Sequence, residues 1–284
     1  MTPDILISEN LTLLSMPEIV VKLNSMLDDP DCSANDIGKE ISLDPALTIR
    51  VLKIVNSALF NLPKQVKNIP MAITILGMKQ LRDVVMTTAV IKKFQSIPAD
   101  LVNMNSFWHH SIACAIASRK LAEHCKIKDT DDFFVMGLLH DIGKLVMYLV
   151  LPDQSREVLR EIKTTLEHSP NADVSTIEKK QFGFSHATLG RVLTQQWNMS
   201  ESLTTPIAEH HLQFSQFTMV QSSALLKTAN YLANQLQPAI SPDEAQDIEL
   251  ECLTELNLNE EKLLELQQQI LKTLENTISF VYGD

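Results

Sequence analysis

Apolar residues recur at intervals of three and four positions along most of the chain. After Pro17, for example, Ile19, Leu23 and Leu27 fall on one face of a helix. The same spacing returns in short segments that end at Pro, Gly or paired Asp residues, and the last of them starts near Asn259. The sequence shows no repeat of fixed period and no low-complexity segment. It therefore predicts an all-α, multi-helical fold.

Several helices have a recognisable N-terminal capping residue. A short polar side chain at this position accepts a hydrogen bond from the first turn of the helix. The predicted caps are Ser33, Asp44, Ser106, Thr130, Ser185 and Ser200. Because Ser185 is a cap, His186 is expected at the first position of its helix, at the positive end of the helix dipole.

The pattern divides into three parts, with Pro98 as the linker in the first half. We predict an N-terminal bundle of short helices at residues 1–100, a second helical bundle at 101–237 and an acidic helical extension at 238–284. Pro238 and Pro242 bracket a break before the extension. Leu263, Leu266, Ile270 and Leu274 of the extension need a partner surface, which either this chain or a second copy in a homodimer can supply.

Composition narrows the functional classes. Only 7 glycines and 5% aromatic residues favour helices over a turn-rich β architecture. The net charge of −11 argues against nucleic-acid or anionic-membrane partners, because such binding needs a basic surface. The positive charges between Arg50 and Lys67 allow a helix-turn-helix interpretation, but packing helices with solvated lysines fit this acidic chain better.

Cysteine use and the N-terminus predict a cytoplasmic protein. The four cysteines are scattered, which suits free thiols in a reducing compartment, and Met1–Asp4 has no basic segment of the kind that begins a signal peptide. The most apolar window, Phe133 to Leu151, contains His140, Asp141 and Lys144. A membrane-spanning helix would have to bury all three, so we expect this window in the protein interior.

The chemistry of the chain centres on residues 137–145, Gly-Leu-Leu-His-Asp-Ile-Gly-Lys-Leu. His140 and Asp141 offer adjacent nitrogen and oxygen donors for a divalent metal, and Lys144 can meet an anion such as phosphate. All 8 histidines lie between His109 and His211. Either their helices bring them together in one site, or each is a hydrogen-bonded core residue.

Helical spacing distinguishes His109 from the adjacent His110. Steps of three and four residues from Phe107 place His110 on the inward face of its helix, whereas His109 is turned by about 100°. His110 is therefore the member of the pair expected in the core.

Several motifs in order resemble the HD superfamily of metal-dependent phosphohydrolases, and more closely its HDOD branch, the HD-related output domain of bacterial signalling proteins. They include Phe-Trp-His-His-Ser at 107–111, the Gly-Leu-Leu-His-Asp-Ile-Gly-Lys segment, Ser-His-Ala at 185–187 and Glu-His-His at 209–211. In the first half, Asp-Pro-Ala-Leu at 44–47 and Asn-Ser-Ala-Leu-Phe at 56–60 match as well. The resemblance covers residues 10–236 as one unit.

The resemblance implies a set of metal ligands. A first histidine, the His-Asp doublet and a late aspartate correspond to His110, His140, Asp141 and Asn230, and the two-metal members add His186 and His210 or His211. Asparagine at 230 departs from the family pattern, because an amide oxygen is a weaker ligand and cannot act as a base. The implied cofactor is a divalent transition metal, namely iron, manganese, nickel or zinc.

Two functions remain open. The first is a regulatory protein-interaction or output module with a degenerate HD-type site, whose partners are other signalling proteins. The second is a metal-dependent phosphohydrolase acting on a nucleotide or other phosphoester, in which Asp141 and Lys144 would be the catalytic residues. Lys144 matches a lysine that faces phosphate in cyclic-dinucleotide phosphodiesterases of the superfamily. The Gly-Tyr-Pro motif of those enzymes is missing here, which disfavours that activity.

Overall fold

A computed structural model describes residues 1–57, 59–60, 62–128, 130–169, 172–236 and 248–282. Every regular element among these residues is a helix, so the all-α prediction is confirmed. The predicted break at Pro238 and Pro242 lies outside the described residues.

The α-helices are, in chain order, α1 (Pro3–Glu9), α2 (Leu11–Leu14), α3 (Glu18–Leu27), α4 (Ala34–Ser42), α5 (Pro45–Val55), α6 (Ile69–Leu76), α7 (Met78–Lys93), α8 (Met104–His124), α9 (Thr130–Leu139), α10 (Ile142–Val150), α11 (Pro152–His168), α12 (Val174–Phe182), α13 (His186–Gln196), α14 (Glu201–Glu209), α15 (Val220–Leu236), α16 (Leu250–Glu255) and α17 (Glu260–Tyr282). A 3-10 helix at Phe214–Gln216 follows α14.

The chain forms two compact units. The smaller one comprises Met16–Gln95 and the described part of Lys272–Asp284, and the larger one comprises Met1–Ser15 and the described part of Ser96–Leu271. The change of unit at 95/96 lies near the boundary that we predicted at 100. Residues 1–15 belong to the larger unit, because α1 packs against α13 and the indole Nε1 of Trp197 donates a 2.9 Å hydrogen bond to Leu14 O. The division at 237 stays a prediction.

In the smaller unit, α3 to α7 enclose a core of Leu, Ile and Val side chains. The predicted capping box is present: the Ser33 hydroxyl accepts from Asp36 N, and the Asp36 carboxylate accepts from Ser33 N. Asp44 caps α5 by accepting a 2.9 Å hydrogen bond from Leu47 N. These contacts satisfy helix-terminal N–H groups that the helices cannot satisfy internally.

In the larger unit, α8 packs against α9 and α15, while α13 packs against α10 and α14. The cap of α8 is Asn103, whose side chain accepts from Ser106 N at 3.1 Å. Our prediction that Ser106 itself is the cap was wrong, because the helix begins two residues earlier. Ser185 caps α13 as predicted and leaves His186 at its first position.

The C-terminal helices bury apolar side chains within this chain. Cys252, Leu256, Leu266 and Ile270 are all at most 3% exposed. These side chains therefore do not need a second copy of the protein to cover them. A homodimer contact elsewhere stays a prediction.

One stretch of the described chain, Asp132–Val150, has the length and composition of a membrane span. It is 78% buried inside the fold, and it is divided between α9 and α10 by a break at His140 and Asp141. Both features are typical of a protein interior.

Candidate metal centre

His140 and Asp141 lie at the joint between α9 and α10, and a glycine on each side permits close helix packing. A Cβ added to Gly137 would lie 2.6 Å from Cys114 O of α8, and one added to Gly143 would lie 2.0 Å from His186 O of α13. Only glycine can accept such short approaches without a backbone shift. The two glycines thus let α8 and α13 bring their own histidines to the His-Asp joint.

Backbone carbonyls orient two of the histidines in the same way. His140 Nδ1 is 2.7 Å from Gly137 O, and His210 Nδ1 is 2.7 Å from Ile207 O. A carbonyl only accepts hydrogen bonds, so the ring proton is on Nδ1 and the Nε2 lone pair is free to accept or to bind a metal. In both cases the carbonyl lies three residues earlier, in the last turn of the preceding helix.

The two oxygens of the Asp141 carboxylate face different histidines. Oδ2 is 3.4 Å from His140 Nε2 and 3.9 Å from His110 Nε2. Oδ1 is 3.2 Å from His186 Nε2 and 3.9 Å from His210 Nε2. Asp141 is itself only 2% exposed. It therefore lies between two sets of imidazole nitrogens.

These sets form two groups of donors that share Asp141. The His110 group contains His110, His140 and Asp141, and the His186 group contains Asp141, His186, His210 and His211. Within each group, all the donor atoms lie within 4.8 Å of one another. The structure therefore brings together every histidine that sequence comparison implied as a ligand, and both members of the His210-His211 pair take part.

Glu178 is a site residue that the sequence analysis missed. Its Oε2 accepts hydrogen bonds from His186 Nδ1 at 2.6 Å and from His186 N at 2.8 Å, and the residue is 4% exposed. Burial lowers the pKa of His186, but the charge of Glu178 and the hydrogen bonds to Asp141 and Glu178 together outweigh burial and raise that pKa to about 9. The sequence does contain a signal for this residue, because Val174, Ile177 and Glu178 have the spacing of one buried helix face.

The electrostatics of the centre favour an ionised aspartate beside a neutral histidine. Burial opposes ionisation of Asp141, but the neighbouring His140, Lys144 and His186 together outweigh it and hold its pKa well below the usual range. Burial lowers the pKa of His210 well below its ordinary value, and the neighbouring His211 lowers it further. Carboxylate and neutral imidazole are the protonation states that a metal requires, so Asp141 and His210 are ready to bind, whereas a metal would have to displace a proton from His186.

The surroundings of His210 indicate that the two groups of donors fit a metal. Its Nε2 is buried and has no hydrogen-bond partner among the residues that the structure describes. A buried polar atom without a partner is costly, and a metal at this position would remove that cost. Imidazole nitrogen with carboxylate oxygen is a donor set suited to zinc, iron, nickel or manganese.

The remaining predicted site residues have different surroundings. Lys144 is buried, and its Nζ donates to Asp141 Oδ2 at 3.0 Å. Asn230 is buried on α15, the helix that packs against α8 and α9, and its assignment as a ligand stays a prediction. His109 is half-buried, and burial lowers its pKa. It belongs to neither group of donors.

Comparison with known proteins gives one family match. The model of the HDOD domain matches residues 13–213. An uncharacterized protein of Treponema pallidum (strain Nichols) is 26% identical over 200 residues, which are 69% of this chain and 37% of that protein. The chain thus spans little more than a third of the length of this curated relative.

Solved structures share the fold along nearly the whole chain. An HDOD domain protein of unknown function from Geobacter sulfurreducens has a TM-score of 0.76 and 21% identity, with 98% of this chain and 100% of that chain covered. A candidate phosphohydrolase from Shewanella amazonensis SB2B has a TM-score of 0.75 and 22% identity, with 97% of each chain covered. A candidate signal transduction protein from Marinobacter aquaeolei VT8 has a TM-score of 0.73 and 21% identity, with 96% of this chain and 60% of that chain covered.

Proposed function

Because the chain belongs to the HDOD domain family, we propose that it is a bacterial signalling protein, an output or protein-interaction module that holds a divalent transition metal at Asp141. The observation that carries the metal site is the convergence of five imidazoles on one buried carboxylate. Isolated core histidines would not need to collect at one point. Their collection is typical of a ligand set.

The ligands come from several helices and from the joint between α9 and α10. The His110 group would hold one ion and the His186 group a second, with Asp141 common to both. An ion in the His110 group would tie α8 to the joint between α9 and α10, and an ion in the His186 group would tie α13 to the same joint. When bound, a divalent metal supplies Lewis-acid polarisation of a carbonyl or phosphoryl oxygen and adds its binding energy to the folded state.

Two observations support the regulatory role over turnover. Asparagine at position 230, where the family resemblance implies an aspartate, offers a neutral amide in place of a base. In addition, one of the structural relatives is described as a candidate signal transduction protein. We propose other signalling proteins as the partners.

Phosphoester hydrolysis is the second candidate, and Lys144 is the observation that favours it. Its ammonium group lies 3.0 Å from Asp141 Oδ2, next to both groups of donors, where it could also stabilise a phosphoryl oxygen. Robust turnover of a nucleotide or other phosphoester by metal-loaded protein, lost in Lys144→Ala, would establish this function. It would also displace the non-catalytic proposal.

Elemental analysis of protein purified without a metal-affinity tag tests the metal site. We expect near-stoichiometric transition metal in the native protein and loss of that metal in Asp141→Asn. The matched control is Asp83→Asn, because Asp83 is also buried but lies in the smaller unit, beside Arg82. No metal in the native protein after growth in supplemented medium, or equal metal in the two variants, would refute the proposal.

A further inference from the structure

The two groups of donors around Asp141 are chemically unequal. An inference from this difference concerns the same site as the proposed function and therefore rests on that function. The His186 group has three imidazoles in addition to the carboxylate, whereas the His110 group has two. A larger set of converging donors binds a transition metal more tightly when the ligand types are the same.

The carboxylate of Glu178 places a negative charge next to His186. Glu178 accepts hydrogen bonds from both the ring Nδ1 and the backbone N of His186, so it fixes the ring orientation and keeps the proton on Nδ1. His140 and His210 receive the weaker support of a neutral backbone carbonyl. A carboxylate that accepts from the outer nitrogen of a ligand histidine makes the inner nitrogen more basic and strengthens its bond to a metal.

A cation lies beside the His110 group. Lys144 Nζ is 3.0 Å from Asp141 Oδ2, the same oxygen that faces His110 and His140. The Lys144 side chain is only 9% exposed, so water screens its charge weakly. A divalent ion bound by the His110 group must share this oxygen with the ammonium group and is repelled by it. Lys144 therefore weakens the His110 group, whereas Glu178 strengthens the His186 group.

We propose that the centre takes up metal in order, with the His186 group filling first and the His110 group second, and that Glu178 is the positioning residue that makes the first site the tighter one. A single ion in the His186 group is then the state at low metal availability. Both groups fill only when metal is abundant. Occupancy of the His110 group would consequently report metal supply.

Zinc titration of the metal-free protein against a chromophoric chelator tests the order of filling. We expect two binding events of different affinity in the native protein. His110→Ala should keep the tight event and lose the weak one, whereas His211→Ala should keep the weak event and weaken the tight one. Two events of equal affinity, or the reverse assignment by these variants, would overturn the proposal.

Glu178→Gln tests the positioning residue. Glutamine keeps the size and an acceptor oxygen but removes the charge, and we expect the tight event to weaken by roughly tenfold to a hundredfold while the weak event is unchanged. The matched control is Glu161→Gln. Glu161 lies on α11 and accepts hydrogen bonds from Lys180 and Gln181 of α12, the helix that carries Glu178, and within the described part of the chain it is in neither group of donors. Equal weakening of both events would indicate a merely structural role, and affinities equal to those of Glu161→Gln would also overturn the assignment.

Lys144→Gln gives a test that does not depend on the folding of the Glu178 variant. Removal of the cation should tighten the weak event more than the tight one, because Lys144 contacts the oxygen that faces His110 and His140. A weak event that is unaltered or weaker still would overturn the inference. Failure of the underlying metal proposal gives a different result, because the native protein would then bind no more zinc than Asp141→Asn.

Discussion

Gly143 holds α10 against the N-terminus of α13, and its replacement by alanine should disturb both stability and the metal centre. The added Cβ would lie 2.0 Å from His186 O and 2.8 Å from Gly190 N. Both contacts are with backbone, so no side-chain rotation can relieve them. The helices must move apart by about 1 Å to bring the shorter contact to the 3.0 Å below which real Cβ atoms are essentially never found.

Two opposing effects set the change in the free energy of unfolding that we expect for Gly143→Ala. Overpacking costs about 3 kcal/mol when only backbone movement can relieve it, and alanine recovers about 1 kcal/mol through its higher helix propensity. The net loss of about 2 kcal/mol corresponds to a fall in Tm of roughly 4–8 °C for a unit of this size. A shift of about 1 Å at His186 also exceeds the tolerance of about 0.2 Å for a metal-ligand distance, so zinc affinity should fall more than tenfold.

Gly190→Ala provides the matched control, because Gly190 lies across the same helix contact. Its added Cβ would meet the flexible Ile207 Cγ2 at 3.3 Å, a contact that a side chain can relieve. We expect a Tm within about 2 °C of the native value. Calorimetry of both variants, together with zinc titration, measures the difference. If Gly143→Ala proved as stable as Gly190→Ala and bound zinc with native affinity, the role assigned to the close packing would be refuted.

Three further predictions concern single side chains. His110→Ala should reduce metal content in elemental analysis while His109→Ala retains it, because only His110 belongs to a donor group; equal losses would contradict this. Burial raises the pKa of Glu209, but hydrogen bonds from Ser223 and Thr218 outweigh it and lower that pKa below 4.5. The charged form therefore stabilises the fold above pH 4.5 and loses this effect as pH falls through the lower, folded-state pKa. Glu209→Gln should accordingly cost about 1–3 kcal/mol at pH 7 and progressively less below pH 4.5 in denaturant titrations, and a cost independent of pH would be evidence against this account. Trp197→Phe should lose about 1–2 kcal/mol in the same assay, since it leaves Leu14 O without its indole donor; native stability would show that this bond is unimportant.

Local features of the chain were predictable from sequence because their causes are local. Ser185 caps α13 and leaves His186 at its first position, as the pattern of a polar cap before an apolar helix indicates. His140 and Asp141 lie where the apolar run breaks between two glycines, and that break is visible in the sequence. The resemblance to the HDOD branch predicted that the dispersed histidines belong to one site, and the structure brings them together.

Other features depend on contacts between residues that are distant or unpatterned in sequence. Glu178 was visible only as a polar residue on a buried helix face, and nothing local connects it with His186, eight residues later. The place of residues 1–15 in the larger unit depends on the contact between Leu14 and Trp197, 183 positions apart. By contrast, the three-residue spacing of Asp141 and Lys144 is a local signal for an ion pair.

Anomalous X-ray scattering from crystals of zinc-loaded protein would locate the metal directly. The account predicts a first peak at bonding distance, about 2.0–2.2 Å, from Asp141 Oδ1 and from histidine nitrogens of the His186 group. At higher zinc a second peak should appear near Asp141 Oδ2, His110 and His140. Peaks found only at surface residues, or a centre that stays without metal at saturating zinc, would contradict the central claim that these side chains form a metal site.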